Sequence, residues 1–252
     1  MSRVLKGKIM TFFFKTAASI VVILFIVSCE NIFPGEGKLQ TQEYSFSCIK
    51  KLVIDDIFNV TIIPDTLTRV TITAGENQLE TVSIEFDTIS ETLNLSNTVR
   101  MRMLQGYAPI EVKVHTSTLN EIAVTLASTV SFSDTLYADV FKFISNGDIS
   151  NAKILINAHM VEIKNIDITG KIIIEGKAQK LAIINRGLSG IDGRNFKVKE
   201  IQCEQYSMGD CHLVADSALR WSIFRNGNIY QYKAIPVLHG QRWGSGQLFI
   251  IE

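Results

Sequence analysis

The sequence predicts an all-β protein whose larger part is a β-solenoid, or β-helix, with coils of about 20 residues. Three observations predict this fold class. Short runs after residue 43 alternate apolar and polar residues, as in "NVTIIPD" and "RVTITAG", and this period of two is typical of strands. No segment after Cys29 keeps the apolar spacing of three and four residues that a helix requires. Turn residues recur at nearly constant intervals in the second half of the chain.

Residues 1–28 are predicted to be a lipoprotein signal peptide. Four basic residues accompany the apolar stretch "TAASIVVILFIVS", which is too short for a comfortable membrane span. The stretch ends in "IVSC", which resembles the lipobox of bacterial lipoproteins. By that resemblance the peptide is cleaved before Cys29, and Cys29 carries a lipid that anchors the chain without a transmembrane helix. The alternative is an ordinary signal peptide in which Cys29 happens to fall near the end.

The mature chain is predicted to begin with a lipidated tether and to continue as one domain. Residues 29–43 form the tether, because the Pro and Gly residues that follow Cys29 suit neither helix nor strand. Residues 44–252 form the domain. We expect an irregular β portion over 44–118 and regular coils over 119–252.

Turn residues mark the coils at Gly147, Asp167, Gly187, Gly209 and Gly227, at intervals of 20, 20, 22 and 18 residues. Such a period is what a solenoid requires, because each coil completes a circuit before it stacks on the preceding one. The chain turns sharply at each corner, often with φ above zero, which Gly tolerates freely and Asn or Asp better than most residues.

The positions six and four residues before these turns are nearly all apolar, and we expect them to form ladders inside the tube. Equivalent residues of stacked coils lie about 4.8 Å apart. The first column contains Phe141, Val161, Leu181, Cys203 and Trp221, and the second contains Phe143, Ile163, Ile183, Gln205 and Ile223. A β-sandwich or barrel is the competing fold, but neither usually keeps one residue class in register across five units.

Composition disfavours binding to nucleic acid. The chain has 25 Lys plus Arg and 25 Asp plus Glu, so no net field attracts a polyanion.

The cysteines leave two readings open. Beside the lipidated Cys29, the chain has Cys48, Cys203 and Cys211, an odd number that cannot all pair within the chain. The spacing of Cys203, Cys211 and His212 matches no zinc pattern, and we expect no metal and no cofactor. Cys203 and Cys211 are either two buried thiols or one disulfide in an oxidising compartment.

The stretches "FSCIKKLVIDDIFNVTIIPD" and "GNIYQYKAIPVLHGQRWGSGQL" resemble the start and finish of the autotransporter-adhesin head domain of the GIN type. This is a domain of unknown function in exported bacterial proteins, many of them lipoproteins. The resemblance covers nearly all of residues 44–252, although the family's Gly-Ser turns appear here as "SNG", "NRG", "SMG" and "RNG". It implies a right-handed β-helix preceded by a more irregular β portion, and an adhesive role.

The enzymatic alternative is a polysaccharide lyase or glycosidase, because other β-helices cleave acidic polysaccharides with carboxylates on one exposed face. Asp148 and Asp167 are expected on neighbouring coils near one corner, with Lys164 and Arg186 close in phase. Two such carboxylates could share a cation or a proton, but short acidic side chains also cap solvated turns. No familiar catalytic pattern occurs, and we name no catalytic residue.

We therefore predict a non-catalytic binding or adhesion role through the extended solenoid surface. The expected partners are a glycan or a protein ligand, and the bacterial outer membrane, on its periplasmic or cell-surface face, through the lipid on Cys29. Phe224, Tyr230, Tyr232 and Trp243 are candidates for an aromatic contact patch, or they cap the last coil. A structural or assembly role in the envelope is the remaining alternative.

Overall fold

The computed structural model of the chain describes residues 36–98, 109–146 and 151–252, except for the side chains of residues 167 and 168. These residues form 18 strands and one short helix, α1 (Glu76–Leu79). No helix of the described residues is long and apolar enough to cross a membrane. The first nine strands are β1 (Leu39–Ser45), β2 (Lys51–Asp55), β3 (Phe58–Ile63), β4 (Arg69–Gly75), β5 (Val82–Asp87), β6 (Thr92–Asn97), β7 (Ile110–His115), β8 (Glu121–Val124) and β9 (Thr129–Phe132).

The remaining strands include the three longest of the described chain. They are β10 (Leu136–Asn146), β11 (Asn151–Ile168), β12 (Lys171–Gly187), β13 (Gly190–Ser207), β14 (Cys211–Leu213), β15 (Ala215–Ile223), β16 (Ile229–Tyr232), β17 (Val237–Arg242) and β18 (Leu248–Ile251).

The strands stack in parallel as coils of a solenoid, which confirms the predicted fold class. Stack A contains β6, β2, β8, the last parts of β10 to β13, then β15 and β17. Stack B contains β7, β3, β9, the first parts of β11 to β13, then β14, β16 and β18. The chain leaves stack A, turns a corner and enters stack B of the next coil.

The predicted inner ladder is confirmed over its first coils. Phe141 pairs with Val161, and Val161 pairs with Leu181. All three side chains are buried in the core. Burial on every coil supplies the apolar contact that a single coil lacks.

The prediction for the later coils is wrong by two residues. Leu181 pairs with Ile201 and not with Cys203, while Cys203 and Trp221 continue the Phe143 column. Likewise, Gln205 and Ile223 belong to a third column, in which they follow Asn165 and Asn185 on the later coils.

The place of the glycine within the turn causes this shift. Gly187 pairs with Ser207 and Ile191 with Cys211, so the turn has the same length on both coils, but Gly209 lies two residues further along its coil than Gly187 does. Counting back from the turn glycines therefore gives the wrong rung from this coil onward.

The N-terminal portion closes its end of the solenoid with antiparallel strands. β2 and β3 form a coil that stacks on β8 and β9, with partners 70 residues apart. The inserted segment adds β5 to stack A through β6, and β4 and β1 to stack B through β7, all antiparallel. Phe46 packs on Phe86 there, with ring centroids 4.9 Å apart.

Strand β1 begins at Leu39, inside the segment that the sequence predicts as tether. All seven of its residues are exposed, so no apolar periodicity marks this strand in the sequence. Its order comes instead from backbone pairing with β4, which runs from Leu39 opposite Gly75 to Ser45 opposite Arg69.

Candidate functional site

A buried ladder of amides supports the corner between stack A and stack B. Asn165, Asn185 and Gln205 lie on successive coils and are fully buried. Asn165 Nδ2 donates to Asn185 Oδ1 at 3.2 Å, and Asn185 Nδ2 donates to Gln205 Oε1 at 3.0 Å. Asn185 Nδ2 also donates to the carbonyl of Ser189 at 3.0 Å, and Gln205 Nε2 donates to the carbonyl of Gly209. These bonds give the turn carbonyls buried donors, and the Ser189 carbonyl also accepts from the Ser207 hydroxyl at 2.8 Å.

The corner itself is a column of close backbone contacts, which we call the glycine corner: Ser189, Gly209, Gly227 and Gly246. A Cβ atom on Gly209 would overlap the carbonyl oxygen of Ser189, and Cβ atoms on Gly227 and Gly246 would overlap the carbonyl oxygen of the preceding glycine. Close stacking therefore explains these glycines. A positive φ, the reason expected from the sequence, occurs at Gly187, where φ is 90°.

On the stack A side of the corner, three rings form the Trp243 ladder: Tyr206, Phe224 and Trp243. The rings are parallel, with centroids 4.1 Å apart between Tyr206 and Phe224 and 4.6 Å apart between Phe224 and Trp243. The Arg186 guanidinium continues the column at 4.8 Å from the Tyr206 centroid, as a cation–π contact. Because neighbours cover the faces of the inner rings, the ladder presents ring edges to solvent.

On the stack B side, the Phe249 ladder consists of His212, Tyr230 and Phe249. Its centroids are 4.8 Å apart between His212 and Tyr230 and 5.1 Å apart between Tyr230 and Phe249. A hydrogen bond of 2.8 Å between His212 Nδ1 and the Tyr232 hydroxyl holds the imidazole in place.

The two ladders lie symmetrically about the glycine corner. Each coil carries one ring three residues before its corner glycine and one ring three residues after it. The triplets are Tyr206, Gly209 and His212; Phe224, Gly227 and Tyr230; and Trp243, Gly246 and Phe249. The distal coils therefore present a corner flanked on both sides by aromatic rings.

A polar cleft of about 410 Å³ opens beside the corner on stack B. Its charged lining residues are Lys171, Asp192, Arg194 and Asp210, and His212 forms one wall. Arg194 donates from Nε to Asp192 Oδ1 at 2.8 Å and from a terminal nitrogen to Oδ2 at 2.6 Å. Lys171 Nζ lies 3.3 Å from the same Oδ2. Asp192 thus joins two cations in a fixed arrangement.

The electrostatics of this cluster keep Asp192 ionised. Its hydrogen bond with Arg194 is the main cause that holds the pKa of Asp192 well below its usual range, and it outweighs the opposing effect of burial. The same pair raises the pKa of Arg194. A carboxyl group that stays ionised at neutral pH has no proton to donate, so Asp192 does not fit the role of a general acid.

The structure divides the aromatic residues predicted from the sequence between the two ladders. Phe224 and Trp243 belong to one ladder, Tyr230 to the other, and Tyr232 lies beside His212. The side chain of Trp243 is 59% exposed, whereas the other three are partly buried. Sequence reasoning missed three members, which the three-residue offset from the corner glycines could have found: Tyr206, His212 and Phe249.

Of the four residues expected near one corner for the enzymatic alternative, only Lys164 and Arg186 have described side chains. Asp148 lies outside the described part of the chain, and Asp167 is one of the two residues whose side chains are not described. Lys164 Nζ lies 3.7 Å from Glu162, and Arg186 covers the ring of Tyr206. The lipidation candidate Cys29 also lies outside the described residues.

Cys203 and Cys211 are free thiols inside the core, whereas the His212 ring packs among the surface tyrosines. A hydrogen bond with the Cys211 thiol, together with burial, raises the pKa of Cys203. The two thiols and the imidazole therefore do not converge. No three His, Cys, Asp or Glu side chains of the described ranges form a group that could hold a metal ion.

A family model described as "putative auto-transporter adhesin, head GIN domain" matches residues 46–234. A search of curated proteins finds no match.

Several solved structures have the same fold. A putative adhesin from Bacteroides fragilis has a TM-score of 0.76 at 18% identity, covering 85% of this chain and 97% of that chain. A putative adhesin from Parabacteroides distasonis has a TM-score of 0.64 at 18% identity, covering 86% and 98%. A putative lipid binding protein from the same species has a TM-score of 0.62 at 14% identity, with the same two coverages of 86% and 98%.

Proposed function

We propose, because the chain belongs to the family of putative auto-transporter adhesin head GIN domains, that it is an exported adhesin that binds a glycan without cleaving it. The ligand contacts the polar cleft and the adjoining rings of the glycine corner. The family's description supports adhesion, and the cleft supplies the chemistry for the ligand class.

The balanced, fixed charges of the cleft carry this proposal. Lys171 and Arg194 offer N–H donors, while Asp192 and Asp210 offer carboxylate acceptors. A hydroxyl group both donates and accepts, so a hydroxyl-rich ligand of no net charge complements this lining. Lys171, Asp192 and Arg194 stand on strands whose registers are set by the solenoid, and Asp210 directly precedes β14, so little ordering is needed when a ligand binds.

The same cluster supports binding over turnover. Both oxygens of Asp192 are engaged by Arg194, and one of them also by Lys171. A carboxylate held in this way is a poor proton donor and a poor nucleophile.

The proposed location is the bacterial outer membrane, with the chain anchored by a lipid on Cys29. The segment that follows Cys29 leads to β1, which lies at the N-terminal end of the solenoid. The aromatic ladders occupy the last coils, at the opposite end. A tether at one end thus leaves the ladders far from the anchor.

Glycan-array binding by the full chain in detergent micelles, run beside a polysaccharide-degradation screen, tests the proposal. Lys171→Ala is expected to weaken glycan binding about tenfold or more, because it removes a charged donor from the cleft. The matched control is Lys142→Ala, which removes a partly exposed lysine that lies 3.9 Å from Glu162 on stack A. This control is expected to bind like the wild type.

Other outcomes point elsewhere. Glycan turnover that is lost in Asp148→Ala or Asp167→Ala would establish the lyase or glycosidase alternative. If the assays show no binding and no turnover, the result would favour a structural role in the envelope. An equal loss of binding in Lys171→Ala and Lys142→Ala would contradict the assignment of the cleft as the binding site.

A further inference from the structure

A second hollow opens beside the glycine corner, on the stack A side, with a volume of about 280 Å³. We call it the arginine hollow, and four residues line it: Arg186, Gly187, Tyr206 and Arg225. Arg186 stands one coil before Tyr206 and pairs with it in register. Arg225 stands one coil after Tyr206, next to Phe224, whose ring stacks on the Tyr206 ring. The two arginines therefore reach the hollow from coils on opposite sides of Tyr206.

The arginine hollow carries positive charge that no described acidic side chain offsets. None of the ion pairs within the described ranges includes Arg186 or Arg225. Glu204 stands two positions before Tyr206 on the same face of β13, but it pairs with neither arginine. In the polar cleft, by contrast, the two cations share the carboxylate of Asp192. The hollow is thus a site of net positive charge, whereas the charges of the cleft are balanced.

The side chains of the hollow offer hydrogen-bond donors to a ligand. The Arg186 guanidinium lies over the Tyr206 ring, and contact with a ring face leaves free the N–H groups in the guanidinium plane. The Arg225 guanidinium and the Tyr206 hydroxyl make no hydrogen bond with any residue that the structure describes, so both can donate to a ligand. No side chain that lines the hollow is a carboxylate. Such a lining suits an oxyanion, which accepts charge-assisted hydrogen bonds from guanidinium groups.

A single turn separates the arginine hollow from the polar cleft. Gly187 lines the hollow, and the next residue, Leu188, lines the cleft. Consecutive Cα atoms are about 3.8 Å apart. A ligand of a few sugar residues that crosses this turn can therefore contact both sites at once.

We propose that the arginine hollow binds an anionic substituent, a carboxylate or a sulfate, of an acidic glycan whose hydroxyl groups occupy the polar cleft. This inference rests on the proposed function, because it requires that the ligand of the corner is a glycan, and it adds the chemical class of that glycan. The oxyanion accepts from Arg186 and Arg225 in the hollow. The uncharged part of the same ligand matches the balanced charges of the cleft.

The distribution of charge favours an acidic glycan over a nucleic acid as the occupant. A nucleic acid carries a negative charge at every step and requires an extended positive surface. Here the unpaired positive charge is confined to one hollow, the adjoining cleft is balanced, and the chain has 25 basic and 25 acidic residues. A ligand in which hydroxyl groups separate the anionic groups fits this arrangement.

Calorimetric titration of the full chain in detergent micelles tests the inference with matched probes. The first pair is an oligogalacturonate and its methyl ester, which keeps the hydroxyl groups but lacks the carboxylate charge. The second pair is an oligosaccharide of a sulfated galactan and its desulfated form. The wild-type chain is expected to bind the charged form of one pair about tenfold more tightly than the uncharged form, and that pair identifies the anionic group.

Two arginine variants test where the charge is recognised. Arg186→Gln and Arg225→Gln are each expected to weaken binding of the charged form about tenfold, because Gln is polar but carries no charge. Binding of the uncharged form is expected to stay as in the wild type, which also shows that the cleft is intact. The matched control is Arg220→Gln, on the outer face of stack A, where Arg220 lies 4.0 Å from Glu200. This control is expected to keep both affinities.

Three results would overturn the inference. Equal binding of the charged and uncharged forms by the wild type would do so and would leave the proposed function standing. A preference for the charged form that Arg186→Gln and Arg225→Gln retain would place charge recognition outside the hollow. Binding to none of the four probes would also overturn it, and a lack of any glycan binding on the array would overturn the proposed function as well.

Discussion

At the scale of single residues, Asp192 shows how the solenoid surface fixes charge. Register sets Lys171 one coil away, while Arg194 lies two positions along the same strand, on the same outward face. The carboxylate therefore meets both cations without a loop rearrangement. This arrangement stabilises the ionised form and gives the cleft its rigid donors.

The lowered pKa of Asp192 predicts a pH-dependent stability. A carboxyl group whose pKa is lower in the folded state stabilises that state above its unfolded pKa of about 3.9, and the contribution is lost as pH falls through the folded pKa. Asp192→Asn is therefore expected to lower the free energy of unfolding at pH 7 by about 1–2 kcal/mol. Urea unfolding at pH 7 and at lower pH measures the difference, which is expected to narrow below about pH 4.

Asp216→Asn provides the control. Asp216 pairs with Lys233 at 2.9 Å, but both side chains are about half exposed. Exposed ion pairs contribute little to stability, so this variant is expected to unfold like the wild type at both pH values. A loss in Asp192→Asn that does not depend on pH would count against the assigned protonation state.

At the scale of elements, the glycine corner depends on two features of the strands that meet there. The amide ladder satisfies the turn carbonyls from inside, and the corner glycines let successive turns approach closely from outside. Polar residues in the third column are therefore structural, although the sequence pattern predicts an apolar rung at Gln205.

Gly227→Ala tests this close approach. A Cβ atom there would overlap the Gly209 carbonyl oxygen and would lie 2.7 Å from the Ser207 carbonyl oxygen. The backbone atoms cannot move aside without breaking coil stacking, so we expect a loss of about 1–3 kcal/mol in the free energy of unfolding. Urea denaturation provides the measurement.

Gly190→Ala is the matched glycine substitution. Its Cβ atom would lie 3.2 Å from the Asp210 carbonyl oxygen and would have no other heavy atom nearer than 3.9 Å. We expect a clearly smaller loss than for Gly227→Ala. Equal losses in the two variants would show that the crowding at the corner is not the cause.

At the scale of the whole molecule, a solenoid has two ends because each coil contacts only its neighbours. Here antiparallel strands close the N-terminal end, whereas among the described residues the last coil leaves Leu238 and Ile250 exposed. The ends therefore differ in exposure, while the sides offer the cleft and the ladders.

Anchoring of the whole molecule is predicted to depend on Cys29. Cys29→Ser is expected to leave the signal peptide uncleaved or to release the chain from the membrane fraction, because it removes the lipid attachment site. Membrane fractionation, with mass analysis of the N-terminus, measures both effects. Cys48→Ser changes a thiol that donates to Thr118 Oγ1 within the domain, and it is expected to remain processed and membrane-bound. Unchanged processing and partitioning of Cys29→Ser would contradict the lipoprotein assignment.

The sequence was sufficient to predict the fold class because the features that make a solenoid are local and repeated. Alternation identified the strands, and recurring turn residues identified coils of about 20 residues. Three coils also aligned correctly, from Phe141 to Val161 to Leu181, since the turn residues from which they were counted are 20 positions apart, as the paired residues are.

The sequence could not predict the register after Gly187, because the turn glycine moves two residues along a turn of unchanged length, and the strand pattern does not show this move. The sequence also could not predict β1, because this strand is held by backbone pairing with β4 and has no buried face that would give an apolar pattern. The candidate site was found only in part: Phe224, Tyr230, Tyr232 and Trp243 were recognised by type, whereas their division into two ladders required the corner.

By itself, the amino-acid sequence determined the period, the strand content and the family to which the chain belongs. Only the tertiary structure decided which side chains share a rung and that Lys171 and Arg194 converge on Asp192. The physical reason is that coil stacking joins residues about 20 positions apart through backbone registers, and these registers depend on the length of every intervening turn.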